Sequence, residues 1–380
     1  MNFKKLTAAA LVFTMVFTAN AFAADKTSDY EQDKIVITYD EAVQKAIDNT
    51  TSIAAIDEAV DLMEKNKEAL FTSLEGYFPY VSSDVTVDSS IGSLLSSIGT
   101  IDSSTKSYRY QKQMLEETAE LMVKNYFNTI VTSENALELT KESLQLKQEE
   151  YSQLVMKHNL GMLSDNELET AKNEITKMMS NVTTAELAID SVYESLASTI
   201  GLSKYADFEI DYELEYEPFT MTTGLEGYIN VKTESDPSVM VAKAKLEDAE
   251  YQKKISLYDT EPYSYLSKEN NVNSADRDLG DTQKNLRTSI VSGYNSITQL
   301  ESTRESLEAA LADAQTAYET AKVKYELGNI TELEYKQAEL AVKSAENDIL
   351  SNTSSHDILV FQFEHPYMLS SSSGSSSSSK

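Results

Sequence analysis

Two segments far apart in the chain carry the same helix–turn–helix pattern, and this repetition is what most limits the fold. Residues 151–171 read YSQLVMKHNLGMLSDNELETA, and residues 318–338 read YETAKVKYELGNITELEYKQA. Six positions are identical between them: Tyr151, Lys157, Leu160, Gly161, Glu167 and Ala171 align with Tyr318, Lys324, Leu327, Gly328, Glu334 and Ala338. A duplicated helical hairpin predicts an elongated, internally symmetric protein.

Each segment contains the signals that end one helix and begin the next. Gly161 and Gly328 stand where the first helix should end in a left-handed residue. Ser164 and Thr331 follow as N-caps. Glu167 and Glu334 come three residues later and predict capping boxes, while Leu163 and Ile330 stand before the caps, where a hydrophobic staple begins. Both segments are therefore predicted to be tight turns between antiparallel helices.

Composition favours long helices in an exported protein. The chain has 11 Gly, 5 Pro and no Cys, which excludes disulfides and thiolate metal sites. Lys4 and Lys5, an apolar run and Ala21-Phe22-Ala23 predict a secretory signal peptide over 1–23. Removal of the two lysines takes the net charge from −30 to −32, which argues against nucleic acid as a partner.

The long segments show mixed three–four spacing of apolar residues, as in a coiled-coil seam. Helices are predicted at roughly 106–160 and 281–327, each followed by a returning helix. Thr38 with Glu41, and Thr223 with Glu226, predict further capping boxes. The inserts 79–107 and 259–280 are rich in polar residues, with one possible strand, Tyr80 to Val87.

The chain is therefore divided by sequence into a signal peptide, a loose segment, a first helical repeat, a connector, a second helical repeat and a disordered Ser-rich tail. The predicted boundaries are 1–23, 24–37, 38–201, 202–222, 223–365 and 366–380. The predicted fold class is all-α, with two long antiparallel coiled-coil hairpins.

This organisation resembles the TolC family of outer-membrane efflux proteins. The family opens each copy with a short helix, a break and a second helix, here ITYDEAVQKAIDNTTSIAAIDEAV and TTGLEGYINVKTESDPSVMVAKAKL. Its tips read NLGMLSDNEL and ELGNITELEY here. The resemblance implies an α-barrel protomer, a homotrimer, and passive efflux together with a periplasmic adaptor and an inner-membrane transporter. The strands that form the family's membrane barrel are predicted to be reduced or absent.

The resemblance also assigns expected roles to individual residues. The tips would face the adaptor through Leu160, Gly161, Met162, Leu163, Ser164, Leu327, Gly328, Asn329, Ile330 and Thr331. Glu334 and Gln337 would line a lumen constriction, although Glu334 also fits a purely capping role. Turn formation alone would equally explain the tip residues.

No catalytic set is recognised, so the protein is predicted not to be an enzyme and to need no cofactor. Its histidines, His158, His356 and His365, lack metal-ligand spacing. The expected location is the cell envelope: the outer membrane if one exists, otherwise the cell surface or the medium. A secreted coiled-coil spacer or surface interaction protein without a pore remains the alternative function.

Overall fold

The computed structural model describes residues 35–76, 89–203, 206–256 and 264–371. The predicted signal peptide and the possible strand at Tyr80 to Val87 lie outside these ranges. The elements in chain order are β1 Ile35–Thr38, α1 Tyr39–Asn49, α2 Thr51–Glu75, α3 Ser89–Asn159, α4 Asp165–Thr199, β2 Phe208–Asp211, α5 Gly224–Ser235, α6 Pro237–Ile255, α7 Ser264–Glu326, α8 Glu332–Glu364 and α9 Tyr367–Ser371.

Two very long helices, α3 and α7, set the length of the molecule. α3 has 71 residues and α7 has 63, so at 1.5 Å per residue they are about 106 and 95 Å long. One half of each pairs with its returning helix, α4 or α8, and the other half packs against α2 or α6. Contacts of α3 with α6 and α8 join the two repeats side by side.

The long helices begin earlier than the sequence analysis predicted. α3 begins at Ser89 instead of about 106, and α7 begins at Ser264 instead of about 281. Ile91, Leu94, Leu95, Ile98 and Ile101 have helical spacing, and this periodicity prevails over the Ser- and Gly-rich composition. The described parts of the two inserts contain helix and no strand, in agreement with the predicted loss of membrane strands.

A short parallel sheet corrects the predicted loose segment and plain connector. β1 pairs with β2, with Ile35 opposite Phe208 and Thr38 opposite Asp211. Ile37 and Phe208 enter a core with Phe127 and Leu196. The sheet is a tertiary feature, because each strand is only four residues long and they lie far apart in sequence.

Hydrophobic cores are concentrated midway along the hairpins. The first contains Val123, Phe127, Ile130 and Leu196, and the second contains Ile290, Ile297 and Phe363. Burial of each large apolar side chain contributes about 1.5–3 kcal/mol to folding. These cores hold α3 to the end of α4 and α7 to the end of α8, and the hairpins extend from there to the tips.

At the openings of the two repeats the predicted capping boxes form only in part: the first as an N-cap and the second not at all. Thr38 caps α1 by accepting a hydrogen bond from the Glu41 amide. Thr223 makes no side-chain cap. Its φ of −103° and ψ of −1° lie outside the extended region that an N-cap adopts, and Glu226 accepts two hydrogen bonds of 2.8 Å from Arg287. The predicted second capping box is therefore wrong.

The C-terminal segment also corrects the predicted tail, which was taken to be disordered from residue 366. Residues Tyr367–Ser371 form the short helix α9. Tyr367 and Met368 are buried, and the Tyr367 hydroxyl donates to the Met114 carbonyl of α3 at 3.0 Å. The burial of these two side chains and the hydrogen bond hold α9 against the first repeat.

Candidate functional site: the paired hairpin tips

Both tips adopt the same backbone geometry. Gly161 and Gly328 each have φ +73°. At the first tip the Met162 amide donates to the Lys157 carbonyl at 2.9 Å, and the Gly161 amide donates to the His158 carbonyl at 2.8 Å. These two bonds define a Schellman motif, which satisfies carbonyls that the helix end would otherwise leave free.

The second tip repeats these bonds and completes the symmetry. The Asn329 amide donates to the Lys324 carbonyl at 2.8 Å, and the Gly328 amide donates to the Tyr325 carbonyl at 2.9 Å. Since a left-handed residue is needed at both positions, glycine is the residue that fits without strain.

Both predicted capping boxes at the tips are present. The Glu167 amide donates to the Ser164 hydroxyl at 3.3 Å, and the Ser164 amide donates to the Glu167 carboxylate at 2.9 Å. Thr331 and Glu334 make the same reciprocal pair, at 3.3 and 2.7 Å. Hydrogen bonds from the backbone and side chain of Ser164 lower the pKa of Glu167, and those of Thr331 lower the pKa of Glu334.

Three large apolar side chains project from the tips into solvent. Leu160 is 75% exposed, Met162 72% and Leu327 69%. Leu163 and Ile330, which follow each glycine by two residues, are only half-buried rather than fully outward. A soluble protein normally avoids clustered exposed apolar groups of this size, so the tips are candidates for contact with another protein.

The second tip has features that the repeat pattern did not predict. Ile330 and Glu334 border a groove of about 470 Å³ that continues along α7 past Ala317 and Ala321. Beside it the hydroxyls of Tyr318 and Tyr335 lie 2.8 Å apart. The first repeat has Leu168 where the second has Tyr335, and this difference was the available sequence signal.

The first tip has a contact between His158 and Asp165 instead of the tyrosine pair. His158 Nε2 lies 2.7 Å from Asp165 Oδ1, and the Asp165 side chain is 99% exposed. His158 thus joins the end of α3 to the first turn of α4. Its partner is a single carboxylate, and no cluster of three or more potential metal ligands occurs among the described residues.

Glu334 and Gln337, the predicted constriction residues, both lie on the exposed surface of α8. Within one protomer Glu334 is engaged in the capping box, which accounts for its lowered pKa. The single chain brings neither residue to a narrow passage. Their constriction role would depend on neighbouring copies and stays a prediction.

The two hairpins are joined beside the tips by ion pairs between α3 and α8. Lys336 lies 2.9 Å from Glu149, and Lys343 lies 2.5 Å from Glu142. The pairs are seven residues apart on each helix, so they lie on one helical face. Leu146 and Leu340 lie between them, at the edge of a shallow groove.

The tip halves of the hairpins contain no fully buried side chain. This holds for all residues 131–188 of the first hairpin and 298–351 of the second, every one of which the structure describes. In this region α4 contacts α3, α3 contacts α8, and α8 contacts α7. The helices α4 and α7 therefore lie at the two outer edges. The tip half is thus a single layer with two open edges.

Comparison with known proteins identifies this architecture. Residues 263–358 match the family model described as outer membrane efflux protein. The TolC-family resemblance is confirmed. The matched segment contains the second tip, its groove and both ion-pair lysines. No curated protein matches the chain significantly by sequence.

Solved structures with the same fold are TolC-like channels. The Campylobacter jejuni CmeC outer membrane channel aligns with a TM-score of 0.66 and 14% identity, covering 87% of this chain and 86% of that one. Vibrio cholerae VceC gives 0.62 and 13%, covering 87% and 96%. The open-state Neisseria gonorrhoeae MtrE channel gives 0.61 and 11%, covering 87% and 88%.

The similar proteins are channels rather than enzymes, and at these identities they establish the fold. None of the described helices is long and apolar enough to cross a membrane. The TolC-like protomer fold, with an open helical layer and paired tips, is therefore the basis for any functional inference.

Proposed function

We propose that this protein is a TolC-like efflux duct component: a passive conduit through which small molecules or proteins leave the cell envelope. The observation that carries this proposal is the open helical layer of the tip half. A layer that buries no side chain completely by itself needs neighbours, and a ring of copies around a water-filled lumen supplies them.

Three copies would close the ring through the edge helices α4 and α7. The α4 edge exposes Met179 at 52% and Leu187 at 64%, and the α7 edge exposes Val323 at 54%. The first edge differs from the second, so the contact would be head-to-tail. Such a contact forms a closed ring when its rotation closes.

The tips would contact a periplasmic adaptor, which would connect the duct to an energised inner-membrane transporter. Support comes from the exposed Leu160, Met162 and Leu327 and from the rigid turns that present them. In the ring, Glu334 and Gln337 would lie near the closed end. Export would follow the predicted signal peptide, with the envelope as destination.

The ring is tested by measuring the mass of the mature chain in solution. Light scattering after size exclusion, with and without mild detergent, should give three times the chain mass. Leu187→Asp should reduce the mass to one chain, because it places a charge in an apolar contact. Asn181→Asp adds the same charge about 120° away on α4 and should leave the ring intact. A wild-type chain that stays monomeric at high concentration would contradict the duct.

Adaptor contact is tested separately at the first tip. Met162→Asp should abolish co-purification with the adaptor encoded by the same organism, while circular dichroism of the variant stays unchanged. Gly161→Ala, which alters the turn without adding a charge, distinguishes turn damage from loss of the contact. If Met162→Asp still binds the adaptor and supports drug tolerance, the tips serve only as turns.

A secreted helical spacer is the second candidate, favoured by the helices at 89–107 and 264–280 where the family has membrane strands. Cell fractionation separates the two functions. Detergent-dependent recovery with envelope membranes supports the duct. Release into the medium or attachment to the wall supports the spacer.

A further inference from the structure

The only fully buried histidine among the described residues lies where the connector crosses onto the second hairpin. His356 of α8 is 2% exposed, and its Nε2 atom has no hydrogen-bond partner among the described residues. That nitrogen lies 3.5 Å from the Glu301 carboxylate of α7. A buried nitrogen without a partner is destabilising while the ring is neutral.

The same two residues hold the connector in place. Glu301 Oε1 accepts a hydrogen bond of 3.0 Å from the Phe219 amide. The ring of Tyr216 packs on the His356 ring with centroids 5.0 Å apart. The Arg304 guanidinium also contacts the Tyr216 ring, at 3.7 Å from its centroid. The connector thus rests on a site formed by α7 and α8.

Upstream contacts tie the same connector to the first repeat. The Tyr212 hydroxyl donates to Asn128 of α3 at 2.9 Å, and Asn128 donates to Asp357 of α8 at 2.8 Å. Asp357 also pairs with Lys124 of α3 at 2.9 Å. The connector therefore crosses from the first repeat, where Tyr212 binds Asn128, to the second repeat, where Tyr216 packs on His356.

We propose that His356 and Glu301 form a latch that tightens on acidification and holds the connector against the second hairpin. A proton on Nε2 converts the 3.5 Å contact into an ion pair and gives the buried nitrogen a partner. Only the protonated imidazole attracts the Glu301 carboxylate as a charge, so acidification strengthens the contact.

The other charges around the site leave Glu301 as the partner for this proton. Arg304 of α7 is engaged by Glu308 at 2.8 Å and by Thr353 at 2.8 Å. Glu301, Glu305 and Glu308 all act to raise the pKa of Tyr216, after the larger effect of its burial. Asp357, the next residue on α8, is occupied by α3. The carboxylates at the site outnumber its one guanidinium.

The absence of tryptophan from the chain provides a direct reporter of the latch. Tyr216→Trp places a single indole on the His356 ring, and a protonated imidazole in contact with an indole quenches its fluorescence. Emission of the full mature chain should fall as pH drops from 8 to 5. The added change His356→Gln should remove this response, whereas His158→Gln, at the distant tip, should not.

Glu301→Gln in the same reporter keeps the Phe219 contact but removes the charge, so the quenching midpoint should move to lower pH. In the natural chain, His356→Gln should lower the melting temperature more at pH 5.5 than at pH 8. A midpoint unchanged by Glu301→Gln, or a melting difference that is equal at both pH values or larger at pH 8, would overturn the latch. The fluorescence arm decides the matter if His356→Gln alone is poorly folded.

Discussion

The middle of this protein and its tip half are formed by the same long helices, but only the middle contains fully buried side chains. In the middle, Phe127 is fully buried, and the rings of Tyr39 and Tyr212 both lie edge-on to its ring. In the tip half no side chain reaches full burial within one chain. The middle is therefore a self-sufficient core, whereas in the proposed ring the tip half would be completed by neighbouring copies.

The largest expected effect is a difference between the two regions in how much stability is lost when a side chain is truncated. Phe127→Ala should lower the free energy of unfolding by about 3–5 kcal/mol, because it leaves a cavity in a closed core. Leu146→Ala, a half-buried position in the tip half, should cost about 1 kcal/mol. Chemical unfolding of the mature chain, followed by circular dichroism, measures both. Equal losses would remove the distinction between the two regions.

The second-largest loss of stability is expected from mutation of the two turn glycines, and it should be the same at both turns. Gly161→Val and Gly328→Val should each cost about 1–2 kcal/mol, since the left-handed conformation opposes a side chain. Nothing lies within 4 Å of a Cβ added at either position, so strain in the backbone is the cause. Gly280→Ala is the control: it is a helical glycine with the same open surroundings and should be neutral or stabilising. A harmless valine at either tip would contradict the turn assignment.

The capping boxes should show a smaller effect that depends on pH. Ser164→Ala or Thr331→Ala should cost about 1 kcal/mol. Because the folded pKa values of Glu167 and Glu334 are lowered, their contribution is present above the ordinary glutamate value, near 4.3, and is lost as pH falls through the lowered value. Protection of the amides in the first turns of α4 and α8, measured as their exchange rate relative to that of an unstructured chain at the same pH, should therefore decrease at acid pH. Protection that is independent of pH in this range would argue against the boxes.

The smallest effect on stability is expected at the exposed tip. Met162→Asp should change the free energy of unfolding by no more than about 0.5 kcal/mol, because the side chain is 72% exposed. Its consequence should appear only in partner binding. A large loss of stability would mean that Met162 belongs to the protomer's own packing, and the comparison of the two regions would then need revision.

Local signals predicted the tips almost completely. Gly161, Ser164 and Glu167 specify a helix end, a cap and a capping box within seven residues, and Thr331 with Glu334 repeats them. Such interactions span only three or four residues, so sequence spacing determines them. Thr223 with Glu226 has the same spacing, yet the box fails: Thr223 does not have the extended backbone of an N-cap, and the Glu226 carboxylate binds Arg287, 61 residues further on.

Long-range contacts account for the other differences. The pairing of β1 with β2, the docking of α9 on Met114 and the burial of His356 beside Glu301 join segments whose separation carries no periodic signal. The early start of α3 was hidden because serine and glycine obscured an apolar spacing that packing against α6 completes.

By itself, the sequence determined the duplication, the turns and the long helices, because each depends on neighbouring residues and on repeated spacing. Tertiary structure alone decided where the cores lie, which edges stay open and how the connector binds the two repeats. Those features depend on which distant surfaces meet, and only the folded chain brings Tyr216, His356 and Glu301 into contact.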